Sequence, residues 1–153
     1  MFDKILVGVD GSEPSINAAD YAAELAEEKG SELILISIAP EVPILAGSRS
    51  VSERVPELQS ELERERKTML ENQKVRLNEK FPELKITTVV GTGSPSRNIV
   101  ELSRNENVDI IIVGNRGRSG VATWMLGSVS RDIVESCTVP VLVVKDQRYC
   151  EIH

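Results

Sequence analysis

Five short runs rich in Ile, Val and Leu constrain the fold of this chain more than any other feature: Lys4 to Val9, Glu32 to Ile38, Leu84 to Val90, Val108 to Val113 and Val139 to Val144. They are mostly continuous rather than alternating, the pattern of strands covered on both faces, so parallel strands are predicted. Helical spacing fills the gaps between them. The first helix carries Ile16, Ala19, Ala22, Ala23 and Ala26 on one face and is predicted to stop at Gly30. A second is predicted over Pro56 to Lys80, with Leu58, Leu62, Met69, Leu77 and Phe81 as its apolar stripe and its many charges on a solvated face. A third should begin at Ser94-Pro95, a capping serine followed by a proline whose missing N–H costs nothing there. A fourth should begin near Ser128 and run toward Cys137. Strict alternation of strand and helix implies right-handed crossovers and an α/β fold with an open, doubly wound, five-stranded parallel sheet and helices on both faces. The stretch from Ala39 to Val55, with Pro40, Pro43, Gly47 and several serines, is predicted to be an irregular flap, longer than a typical strand-to-helix loop.

With 153 residues, 41% of them hydrophobic, the chain can bury the core of one domain of ordinary size. We expect that domain to span 1–146, followed by a C-terminal tail at 147–153. The excess of 24 acidic over 18 basic residues gives a net charge of −6, which disfavours non-specific binding to nucleic acid or to an anionic membrane face. No apolar stretch approaches the roughly 20 residues of a membrane helix. The opening Met1-Phe2-Asp3-Lys4 leads straight into a strand without the features of a secretory signal, so a cytoplasmic location is expected. Cys137 and Cys150 have neither metal-ligand nor redox spacing and read as a buried thiol and an incidental tail thiol.

In an open α/β sheet, ligands bind beyond the carboxyl ends of the strands, where strand order reverses. Val9-Asp10-Gly11-Ser12 follows the first strand. After the fourth comes Gly114-Asn115-Arg116-Gly117-Arg118-Ser119-Gly120, then an apolar stretch through Trp124 and Leu126, then Gly127-Ser128-Val129-Ser130 opening a helix. Glycines let backbone N–H groups approach phosphate oxygens and permit positive φ, and a helix N-terminus adds unpaired donors and the positive end of its dipole. Ser128 and Ser130 add hydroxyls, and the combination suits a di- or triphosphate. Each part has a plainer reading: a glycine as a simple turn, Ser128 as an N-cap, Asp10 as the cap of its own turn, Arg116 and Arg118 as solvated arginines. Trp124 reads more naturally as a packing or dimer residue than as a base stack, and His153 as incidental.

The spacing Gly-x2-Gly-x9-Gly-Ser at Gly114, Gly117, Gly127 and Ser128 resembles the nucleotide-binding signature of the universal stress protein family, in its ATP-binding branch. The resemblance covers nearly the whole chain. Lys4 to Ser12 looks like the family's first strand and turn, and Val139 to Val144 like its last strand. It implies strand order 3-2-1-4-5 with a crevice between the first and fourth strands. It also implies that Asp10 meets the ribose or the metal-bound phosphates, that Val9, Ile38 and Val113 border the adenine, and that Gly114, Gly117, Gly127, Ser128, Val129 and Ser130 hold ribose and phosphates. The implied cofactor is ATP (or AMP or ADP), with Mg2+ or Mn2+ held mainly through the phosphates. Asn115 departs from the pattern, since many members carry a small hydroxyl residue there.

The resemblance implies a regulatory ATP-binding module in stress response that acts on a protein partner, and a homodimer formed through Val141 to Val144. The last strand needs cover if it lies at a sheet edge, and the tail Asp146 to His153 is the alternative cover. Fast catalysis is not expected, because the chain has no Walker A lysine motif and no evident carboxylate pair near the loop. At most slow ATP hydrolysis follows. Two other functions compete: an interaction protein with a vestigial pocket, and an enzyme cleaving adenine nucleotides at the α-phosphate. The latter usually has a denser serine and glycine loop after the first strand than Gly8 to Ser12 provides. A receiver domain would need an aspartate where Gly91-Thr92-Gly93-Ser94 stands, and a flavin site would need its phosphate loop after the first strand and usually aromatic stacking, for which the chain has only 3% aromatic residues.

Overall fold

The computed structural model describes residues 1–43, 49–115 and 127–145. Nine elements alternate along it: β1 (Lys4–Gly8), α1 (Glu13–Lys29), β2 (Glu32–Ala39), α2 (Arg49–Lys80), β3 (Ile86–Thr92), α3 (Pro95–Asn105), β4 (Ile110–Gly114), α4 (Ser128–Ser136) and β5 (Val141–Val144). The five strands form one sheet of order β3-β2-β1-β4-β5, and every neighbouring pair is parallel. The chain therefore moves outward from β1 through β2 to β3, then returns to lay β4 against the other side of β1. That reversal opens a crevice at the carboxyl ends of β1 and β4.

Because side chains alternate along a strand, each central strand feeds two cores. Ile5, Val7, Val9, Leu33, Leu35, Ile110 and Ile112 pack with the α1 alanines Ala18, Ala19, Ala22, Ala23 and Ala26 and with Leu70 and Leu77 of α2. Leu6, Ile34, Ile36, Ile111 and Val113 face the other way, onto Ile99 and Val100 of α3 and Ile133 of α4. Burial on both faces explains the continuous apolar runs. The row of alanines in α1 leaves little side chain between helix and sheet, and all five are fully buried.

Helix ends fall where local chemistry puts them. Ser12 caps α1 and accepts from the Ser15 N–H, and Gly30 ends the helix in the left-handed conformation at φ 67°. Ser94 caps α3 ahead of Pro95, and its side chain accepts from the Arg97 N–H.

The second helix departs from expectation at its start. It begins at Arg49 rather than Pro56, so part of the predicted flap from Ala39 to Val55 is helical, and Ala39 itself belongs to β2. Pro56 lies inside the helix and is exposed there. An interior proline loses one backbone hydrogen bond, and here a long run of Glu, Arg, Leu and Lys on its C-terminal side favours the helix regardless. The stripe also shifts: Leu58 is 45% exposed, whereas Leu70, absent from the predicted stripe, is fully buried. Both fully covered leucines of α2, Leu70 and Leu77, belong to its C-terminal half, so its N-terminal half has less core to bury against.

Candidate functional site

A cavity of about 260 Å³ opens where the strand order reverses. Its apolar wall comes from Ile36 and Ile38 of β2 and from Pro95 and Ile99 of α3, with Val9 and Val113 beside them. The rest of its lining comes from Asp10 and Ser15 after β1, Gly114 at the end of β4 and Gly127, Ser128, Val129 and Ser130 at the start of α4. The fold thus brings together Val9, Asp10, Ile38, Val113, Gly114, Gly127, Ser128, Val129 and Ser130 around one cavity. Gly117 lies outside the described residues, as do Arg116, Arg118, Trp124, Cys150 and His153.

Asp10 sits in a turn fixed by its own side chain. Oδ1 accepts from the Ser12 N–H at 2.9 Å and closely from the Ser12 hydroxyl, so the capping role is real and coexists with a place on the cavity wall. The Asp10 N–H donates to Ser15 Oγ at 3.2 Å, and Ser15 in turn donates to the Ser12 carbonyl at 2.9 Å. Sequence reasoning missed Ser15, a buried serine in the first turn of α1, although its spacing from the capping Ser12 was a usable signal. It also missed Pro95, which was read only as a helix start, and Ile99, which carried no reading at all.

The junction of β4 and α4 is tightly tied. The Gly127 N–H donates to the Asn115 carbonyl at 2.7 Å, and the Asn115 N–H donates to the Val144 carbonyl at 3.0 Å. Asn115 is 1% exposed, so its side chain fills the wall of the fold rather than extending to solvent. Ser130 Oγ donates to the Gly114 carbonyl at 2.5 Å. The N-cap of α4 is Gly127, not Ser128, and no side chain among the described residues supplies a capping hydrogen bond there. A helix N-terminus without a side-chain cap keeps its first-turn N–H groups for another acceptor.

Neither glycine of this junction owes its identity to a left-handed backbone. Gly127 has φ −62° and ψ 158°, which any residue adopts, and the described glycines with positive φ are Gly11, Gly30 and Gly93. Space is what matters at Gly114, where a Cβ would lie 2.9 Å from the Pro14 carbonyl oxygen in the first turn of α1.

The clear electrostatic perturbation lies at the other end of the sheet. Asp109 accepts from the N–H groups of Asp3 at 2.8 Å and Lys4 at 3.0 Å. Hydrogen bonds from Lys4 and then Asp3 hold its carboxyl below its usual value. Among the described residues, no group of three or more His, Cys, Asp and Glu is placed to hold a metal ion.

An open sheet of order 3-2-1-4-5, with a mostly apolar cavity at its switch point, defines a doubly wound α/β protein with a ligand-sized crevice. Within that class the chain belongs to the universal stress protein family, whose model matches residues 1–145. It is similar to the universal stress protein YxiE of Bacillus subtilis, at 35% identity over 150 residues, covering 95% of this chain and 100% of the relative. The universal stress protein MJ0577 of Methanocaldococcus jannaschii is 32% identical over 157 residues, covering 95% of this chain and 96% of the relative. The MJ0577 structure matches with a TM-score of 0.82 at 33% identity, covering 96% of this chain and 98% of the other. A universal stress protein crystallised in complex with cAMP matches with a TM-score of 0.69 at 25% identity, covering 94% of this chain and 97% of the other.

Proposed function

We propose that this protein binds an adenine nucleotide, ATP foremost, in the cavity between β1 and β4 and acts as a nucleotide-dependent regulatory module. The observation that carries the reading is convergence: nine residues from four separate stretches of sequence line one cavity. A relative of the same fold crystallised with cAMP supports an adenine ligand. The base would lie against Ile36, Ile38, Pro95 and Ile99, and the phosphates against Gly114 and the uncapped first turn of α4. Gly117 would join them from the loop. Asp10 would meet the ribose or a divalent ion. Mg2+ or Mn2+ would be held mainly by the phosphates, as such ions commonly are in nucleotide sites. The bound nucleotide would supply the negative charge that the helix terminus accommodates.

ATP turnover is expected to be slow at most, since positioned donors alone hold phosphates without activating a water. Two copies would meet through β5, an edge strand whose Leu142 is 40% exposed. We take 1–146 as the nucleotide-binding domain and 147–153 as a tail.

Titration calorimetry of nucleotide-free protein with ATP, ADP and AMP in the presence of Mg2+ tests the reading. Saturable binding that Gly127→Leu abolishes supports it. No heat of binding from any of the three nucleotides overturns it.

A further inference from the structure

Asp10 is held by side chains on three sides. Ser12, the N-cap of α1, donates to its carboxylate, and Ser15 in the first turn of α1 accepts from its N–H. Its carbonyl oxygen accepts from Arg66 Nη1 at 3.0 Å, a contact made across 56 positions of sequence from the middle of α2. Arg66 does not itself line the cavity; it reaches the back of a residue that does.

The peptide that Arg66 grips leads into Gly11, at φ 84°. Glycine offers the widest choice of backbone torsions, so the plane between Asp10 and Gly11 is restrained locally only through the turn that Asp10 makes with Ser12 and Ser15. A guanidinium donating to that carbonyl makes a charge-assisted hydrogen bond, stronger than a neutral one, and fixes the plane. It thereby braces from behind the turn in which Ser12 holds the Asp10 carboxylate.

We propose that Arg66 is a positioning residue for the nucleotide site, acting through the Asp10 carbonyl, and that it couples occupancy of the cavity to α2. The proposal rests on the nucleotide reading above. Coupling is reciprocal: if the Arg66 contact raises nucleotide affinity by some factor, bound nucleotide strengthens that contact by the same factor. Occupancy is then felt on a helix that contributes no residue to the cavity wall among those described.

Other hydrogen bonds fasten α2 to the sheet without touching the cavity, from Thr88 to Glu71 at 2.9 Å and from Thr92 to Glu63 at 3.1 Å. They provide the control. Calorimetry with Mg-ATP should show Arg66→Ala about tenfold weaker than wild type, the scale of losing one charge-assisted hydrogen bond in a partly exposed setting. Arg66→Lys should recover part of the loss, because an ammonium can donate to the same carbonyl. Glu71→Ala should bind like wild type. Hydrogen exchange gives a second readout: ATP should slow amide exchange in α2 of the wild type and not of Arg66→Ala.

If Arg66→Ala is too unstable to measure, Arg66→Gln carries the same expectation with a smaller loss. Wild-type affinity in the Arg66 variants, or an equal loss in Glu71→Ala, overturns the role of Arg66 while leaving the nucleotide reading intact. A wild type that binds no adenine nucleotide overturns both.

Discussion

Replacing Gly114 with alanine adds one methyl group at a confined point of the site. Its Cβ would lie 2.9 Å from the Pro14 carbonyl oxygen, 3.1 Å from the Pro14 carbonyl carbon and 3.3 Å from the Pro14 Cβ. Two of these three atoms are backbone, so no side chain can rotate away. Retreat of β4 is opposed by its register with β5, where Gly114 pairs with Val144, and by the Ser130 hydroxyl on the Gly114 carbonyl. Retreat of α1 would drag Ser12 and Ser15, and with them the turn that holds Asp10. Overpacking of this kind costs about 1–3 kcal/mol, which in a domain of this size lowers Tm by about 3–10 °C. Gly30→Ala is the matched control, since Gly30 has φ 67° and nothing within 4 Å of an added Cβ. That variant should lose about 1–2 kcal/mol through backbone strain alone and keep its nucleotide affinity. Thermal melts and Mg-ATP calorimetry on both variants separate the effects: Gly114→Ala should lose stability and affinity, Gly30→Ala only stability. A Gly114→Ala protein with wild-type Tm and wild-type affinity refutes the close approach of β4 to α1 as the reason for glycine there.

Three further perturbations test other parts of the structure. Leu70→Ala, at a fully buried position on α2, should cost about 2–5 kcal/mol by urea denaturation, whereas Leu58→Ala, 45% exposed, should cost far less. Asp109 has its pKa lowered by folding, so its stabilising contribution is complete above the unfolded value and is lost as pH falls through the lower folded value. The stability difference between wild type and Asp109→Asn should therefore be constant at neutral pH and shrink in acid; a difference that grows on acidification would contradict the assignment. Leu142→Lys on β5 should convert the expected dimer to monomer in sedimentation, and a wild type already monomeric at micromolar concentration would remove that interface from the account.

What the sequence revealed and what it hid divide along a physical line. Continuous Ile and Val runs marked the strands because burial on both sheet faces leaves no polar alternation. Gly30, Ser94 and Pro95 marked helix ends because each satisfies a local backbone requirement. The start of α2 was hidden because Pro56 satisfies the rule for a first-turn proline, yet the helix runs seven positions further back, to Arg49. Val9 was read as strand, and it lies just past the end of β1, though its N–H still donates to the Ile36 carbonyl at 2.8 Å. At the cavity, the residues that line it by virtue of chain position were legible. Arg66 was not, because its partner is 56 positions away and only the packing of α2 brings them together. Nor was the confinement of Gly114 by Pro14, which has no sequence signature at all.

The central claim is that the cavity between β1 and β4 holds an adenine nucleotide. Native mass spectrometry of the purified protein, before and after incubation with Mg-ATP, tests it most directly. A mass increment matching one adenine nucleotide per chain, absent in Gly127→Leu, is the result this account predicts. Protein that carries no nucleotide and takes none up under Mg-ATP would contradict it.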